Sequence, residues 1–221
     1  MFEIYLTTLP LSLAAAISVT SILVFFTIMV AKEKQVENGL AFIVGGCISY
    51  AIIAVLVLFS FGKAATVEAP KHVGLHAMTD FILAGLCVLL VVKTLFKKDA
   101  AGKKKEHGKP GNAFVYLGFG ALMRVASANT LPPFISAIKD VSGAHLSVES
   151  TVIACTLIIL TSMFPMLIPW LLFLFNREKA VALINPVSRF LETNKTMISN
   201  TVLVVIAVYL VMHGLKHLGM M

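Results

Sequence analysis

The sequence predicts an all-α membrane protein whose six transmembrane helices form two three-helix inverted repeats. Three observations carry that expectation. Of 221 residues, 58% are apolar and 13% charged, whereas soluble chains are roughly a quarter charged, so most of the surface must meet lipid. Six stretches approach the length of about twenty apolar residues that crosses roughly 30 Å of hydrocarbon. A basic segment between the third and fourth stretches then divides the chain into halves of equal span number.

The first span is Leu11 to Ala31. Phe2, Glu3 and Ile4 before it supply no basic cluster, so it reads as a permanent helix rather than a cleaved signal. Leu40 to Phe61 is the second, with Ala41, Gly45 and Ser49 recurring every fourth residue as in closely packed membrane helices. Met78 to Leu95 is the third and Ala113 to Phe134 the fourth. Thr151 to Phe175 and Ile198 to Leu215 complete the set. The whole of 1–221 is expected to form one integral membrane domain, with a first repeat over 1–96, a linker over 97–111 and a second repeat over 112–221. Between the last two spans, Val181, Ile184, Val187 and Leu191 make an apolar stripe with Arg189, Glu192 and Lys195 off it. That pattern predicts an interfacial helix near 179–194, started or bent by Pro186.

Charge sets the orientation. Loops one–two, three–four and five–six hold twelve Lys and Arg residues, Lys103, Lys104 and Lys105 among them, against four on the other side: Lys63, Lys71, Lys139 and Lys216. Short basic loops stay in the cytoplasm, so both termini are expected to be extracytoplasmic, in a multi-pass protein of the cell membrane. The net charge of +7 therefore reflects topology rather than a nucleic-acid face. Cys47, Cys87 and Cys155 lie singly in apolar stretches, which excludes a disulfide scaffold and gives no metal-ligand spacing. Neither a metal nor another cofactor is expected. His72 and His76, like His213 and His217, stand four apart, but no cysteine or carboxylate cluster completes a ligand set.

Arg124 is the most informative residue. It falls about eleven residues into the fourth span, roughly 16 Å deep by helical rise, where a charge costs about 2.5–3.5 kcal/mol and is functional by default. No carboxylate is expected at that depth; Asp80 is placed near the outer end of the third span. A guanidinium forks onto phosphate, sulfate or carboxylate and stays charged at physiological pH, as a substrate-docking group must. Pairing with Asp80, or with carbonyls freed by nearby prolines, is the competing reading. Beyond Arg124 the chain runs Ser127, Ala128, Asn129, Thr130, Leu131, Pro132, Pro133, and paired prolines break a helix. The break either lines a site or merely ends the span. Ser127, Asn129 and Thr130, with Ser18, Thr20 and Ser21 in the equivalent span of the first half, are the polar groups offered to a substrate. Pro132, Pro133, Pro165 and Pro169 are candidate hinges, and Asp80 and His213 candidate proton-coupling groups.

The stretches LPLSLAAAIS, NGLAFIVGG, LAGLCVLLVVKTLF, FPMLIPWLLFL and ISNTVLVVIAVYLVMHGLKHL resemble the lysine-exporter superfamily, most closely its GAP branch of peptidoglycolipid-addressing and sulfolipid-addressing membrane proteins. The resemblance implies six spans in two triple-helix repeats and translocation of a lipid-linked substrate. The chain departs from the branch at two places. Ser18, Val19 and Thr20 stand where a proline often follows the first Ala-Ser patch, and Asn129, Thr130, Leu131 and Pro132 replace an Asn-Pro pair.

Together these readings describe a transporter or flippase, not an enzyme, that moves an anionic lipid or lipid-linked glycan with its head-group held by Arg124. An exporter of a small amino acid or ion is the alternative. A thiol–disulfide carrier would need two approaching cysteines, and a scaffold subunit would need no intramembrane polar groups. The expected partners are the anionic lipid or lipid-linked cargo and the surrounding membrane lipids, with no nucleic acid and with a homodimer left open.

Overall fold

In a computed structural model the described residues are 2–31, 34–64, 70–96, 112–127, 129–144 and 146–217. They form only helices and their connections: α1 (Phe2–Ala16), α2 (Val19–Val30), α3 (Gln35–Ala64), α4 (Pro70–Phe96), α5 (Ala113–Ala126), α6 (Leu131–Gly143), α7 (Val148–Phe175), α8 (Arg177–Thr193) and α9 (Lys195–His217). The basic segment 97–111 lies outside the described residues.

Four of these helices, α3, α4, α7 and α9, are long and apolar enough to cross a membrane, and a fifth span results if α1 and α2 are taken together. Their outward faces carry residues such as Leu56, Leu89 and Val205, each more than 60% exposed. Apolar surface on that scale fits a multi-pass membrane protein.

The first stretch is not one straight helix. It starts at Phe2, well before Leu11, and bends by 61° between α1 and α2. Neither glycine nor proline occupies the bend at Ile17 and Ser18. Ser18 instead leaves helical geometry and caps α2, its hydroxyl accepting a hydrogen bond from the Ser21 amide. The fourth stretch is broken too: α5 ends at Ala126, and α6 runs on beyond the expected end at Phe134 to Gly143. Pro132 and Pro133 occupy the first turn of α6. There their missing N–H groups cost nothing, so the prolines start a helix rather than bend one. Pro165 and Pro169, by contrast, sit inside a continuous α7.

Two apolar clusters hold the bundle. One gathers Leu11, Tyr50, Ala84, Phe134, Ile158 and Leu210 from α1, α3, α4, α6, α7 and α9. The other gathers Phe25, Phe42, Met166, Phe173 and Ile184 from α2, α3, α7 and α8. α3 and α5 cross with their backbones nearly touching. A methyl group added to Gly45 would stand 1.9 Å from the Leu117 carbonyl oxygen, and one on Gly120 2.1 Å from that of Phe42. Only glycine permits this approach. The Ser49 hydroxyl donates to the Ala121 carbonyl at 3.2 Å beside it. α8 buries Ala180 and Ile184 and leaves Pro186, Arg189 and Glu192 exposed, an amphipathic helix between the last two long ones.

Candidate functional site

The two helix breaks meet. Ser18, at the α1–α2 break, lies 3.3 Å from Ser127, at the α5–α6 break, and Ser21 lies 3.2 Å from Ser127, hydroxyl oxygen to hydroxyl oxygen. Ser18 also donates to Ser21 at 2.8 Å. A serine has one donor and two acceptor positions, so with Ser127 donating to the Met123 carbonyl at 2.5 Å it can accept from the others. Thr130 donates to the Ser127 carbonyl at 3.1 Å and is buried. Asn129 is half-buried beside it, whereas Thr20 is exposed and stays out of the group.

Arg124 occupies the last turn of α5, one turn before Ser127, and is 1% exposed. Its Nη2 donates to the Met166 thioether at 3.0 Å, and the guanidinium lies 5.5 Å from the centre of the Tyr50 ring. Tyr50 is itself fixed, stacked on Phe134 with ring centres 4.1 Å apart and donating to the Ala15 carbonyl at 3.4 Å. Nε and Nη1 of Arg124 have no hydrogen-bond partner among the described residues. The C-terminal end of α5 carries partial negative charge, worth about 0.3–2 kcal/mol to a nearby cation, and the ring face adds about 0.5–2 kcal/mol. Both fall short of replacing a counter-ion for a buried charge, whose desolvation costs several kcal/mol. The N-termini of α2 and α6 open at the same breaks, and their partial positive charge also favours an anion. What this arrangement can do chemically is accept one: Arg124 keeps Nε and Nη1 without partners among the described residues, one turn before the break at which α6 begins.

The competing pairing of Arg124 with Asp80 does not form among the described residues, because Asp80 has other partners. Its helix begins at Pro70, so Asp80 is an internal residue of α4, fully buried, at the fourth position of the apolar stretch Ala77–Thr94. Asp80 Oδ1 accepts from Ser136 at 3.0 Å and from Lys139, and Oδ2 stands 3.1 Å from His213 Nδ1. Asp140 completes the group, 3.5 Å from Lys139 and 3.6 Å from His213 Nε2. The structure thus brings Asp80 and His213 together. It also corrects a sequence expectation: Lys139 is a fully buried helix residue rather than an outer-loop charge, and Asp140 beside it adds a second carboxylate to the group. The missed signal was Pro132-Pro133 read as a helix end. Read as a helix start, it puts Ser136, Lys139 and Asp140 on one face of α6 by their i, i+3, i+4 spacing.

Residues 8–216 match the family model described as Sap, sulfolipid-1-addressing protein. No curated protein and no solved structure matches the chain.

Proposed function

The chain belongs to the sulfolipid-1-addressing protein family, and from that membership we propose that it translocates an anionic lipid or lipid-linked glycan, with the head-group held by Arg124. The observation that carries this reading is the guanidinium at 1% exposure with Nε and Nη1 lacking any hydrogen bond among the described residues. A sulfate, phosphate or carboxylate head-group offers acceptor oxygens to these groups, and a two-point fork forms when Nε or Nη1 acts together with the second N–H of Nη2. The acyl or prenyl chains remain in the bilayer alongside.

In this proposal α1–α2 serves as one broken span and α5–α6 as its counterpart, giving six spans in two inverted repeats of the lysine-exporter kind. Both termini are extracytoplasmic in a multi-pass protein of the cell membrane. A broken helix at the same point of each half supports the repeat, since discontinuous helices commonly line transporter sites. Arg124 is closed off in the present conformation. Loading therefore requires movement of α5 or α6, with Pro165 and Pro169 in α7 as further places of give. The protein carries its cargo chemically unchanged.

The test is binding to the purified full chain in nanodiscs of zwitterionic lipid, titrated with a sulfated glycolipid, an anionic phospholipid and an uncharged glycolipid. Selective binding of the anionic lipids, lost in Arg124→Gln, is the expected result. Equal binding of the uncharged lipid, or anionic binding untouched by Arg124→Gln, overturns the reading. Competition by a free amino acid in place of lipid would transfer it to a small-solute exporter.

A further inference from the structure

Among the described residues, the cluster around Asp80 holds more carboxylates than lysines. Asp80 and Asp140 bring two negative charges and Lys139 one positive, on side chains at most 10% exposed. Counted over these three described residues the group carries one negative charge in excess, which one further proton neutralises, and an unbalanced buried charge is costly. His213 is placed to share that proton. Its Nδ1 faces Asp80 Oδ2 at 3.1 Å and its Nε2 faces Asp140 Oδ2 at 3.6 Å, so the imidazole stands between two carboxylates. A neutral imidazole has a single N–H and turns a lone pair toward one of them. A second proton, on Nε2 or on Asp140 Oδ2, converts that repulsion into a charge-assisted pair. Among the described residues Asp140 meets only the Lys139 ammonium at 3.5 Å and the His213 ring at 3.6 Å, both long contacts, whereas Asp80 accepts closer ones, and a poorly satisfied buried carboxylate is costlier than a carboxylic acid.

We propose that the space between His213 Nε2 and Asp140 Oδ2 is a proton-binding site whose occupancy holds α6 against α4 and α9. α6 carries Ser136, Lys139 and Asp140, and it begins next to Thr130 at the break that Arg124 adjoins. With the proton bound the cluster is neutral and α6 is docked. When the proton leaves to water, one negative charge remains in a buried site, and the two carboxylates repel across the ring. α6 then loosens, which frees the surroundings of Arg124. Only an N–H or O–H bond is made and broken. The other groups near the ring among the described residues are Tyr209, stacked at 5.8 Å with its hydroxyl donated to the Thr7 carbonyl, and the exposed Lys216 one turn on. The link to Arg124 rests on the proposed function; the proton site itself does not.

The full chain in zwitterionic nanodiscs provides two measurements. Infrared difference spectra between alkaline and acidic buffer report carboxyl and imidazole protonation, and hydrogen–deuterium exchange of 131–143 at one fixed alkaline pH reports on α6. The wild type is expected to show a protonated-carboxyl band and an imidazole signal that titrate together. Asp140→Asn loses that band, and because Asp80 and Lys139 then balance without an added proton, its α6 exchanges more slowly than the wild type's. His213→Gln serves as a second variant: it removes the imidazole signal and displaces the midpoint of the carboxyl band. Identical titrations in wild type and both variants overturn the proton site. A normal titration with equal α6 exchange in wild type and Asp140→Asn overturns the coupling. Failure of anionic lipids to bind leaves both measurements unaffected, so this proposal and the lipid reading fail separately.

Discussion

Ser18 and Ser127 are 109 positions apart in the chain, and their hydroxyl oxygens are 3.3 Å apart in the fold. Each sits where a helix is interrupted, so the contact joins the two places at which backbone groups escape regular helical pairing. Interrupted helices deep in a membrane protein survive only where such groups find protein or cavity partners. Here the Ser18 hydroxyl accepts from the Ser21 amide, Ser127 donates to the Met123 carbonyl and Thr130 donates to the Ser127 carbonyl. The arrangement also explains why Arg124 stands where it does, one turn before the α5 end, where the helix terminus favours a cation and α2 and α6 present N-termini to an anion.

Replacing Arg124 separates stability from binding. Arg124→Met removes a buried charge that has no carboxylate partner, and a similar-volume apolar residue commonly maintains or raises stability at such a site. Thermal unfolding in detergent should show a melting temperature equal to or above the wild type's. Anionic-lipid affinity should fall roughly ten- to hundredfold, matching the ~1.5–3 kcal/mol of hydrogen bonds to a charged group. A strongly lowered melting temperature would assign Arg124 to structure.

The serine cluster should behave as a unit. Ser18→Ala and Ser127→Ala each remove a hydroxyl from a shared group, at about 1 kcal/mol apiece. The double variant should cost less than the sum, with a coupling of about 0.5 kcal/mol or more in a double-mutant cycle read by chemical unfolding. Additive effects would mean that the two breaks are energetically independent.

Gly45→Ala is expected to destabilise by ~1–3 kcal/mol, as overpacking does, because the new methyl meets the Leu117 carbonyl oxygen at 1.9 Å. Gly85→Ala, at a position with nothing within 4 Å of the new methyl, should be neutral or stabilise by about 0.5–1 kcal/mol through helix propensity. Paired melting curves of the two variants check both signs.

Lys139→Met leaves Asp80 buried without its cation. Breaking such a pair from one side costs ~3–5 kcal/mol. Adding Asp80→Asn removes the orphaned charge and should recover most of that loss, which comparison of the single and double variants by unfolding would establish. A double variant no more stable than Lys139→Met would show that the ion pair itself contributes little.

The sequence by itself determined the class of molecule. Its apolar stretches mark long lipid-facing helices, the Ala41, Gly45, Ser49 series marks the face on which α3 meets α5, the Val181–Leu191 stripe marks α8, and Arg124 stands out as an internal charge. These features are legible because hydropathy, helical period and small-residue spacing are properties of neighbouring residues. Tertiary structure decided the rest. No glycine or proline announced the break at Ile17 and Ser18, which is held by the Ser18 cap and by contact with Ser127. Likewise, which helix face receives Lys139, and that Asp80 goes to Lys139 and His213 rather than to Arg124, depends on residues 59 and 133 positions from Asp80. A buried charge takes the partner that the packing brings within reach, and no local pattern encodes that distance.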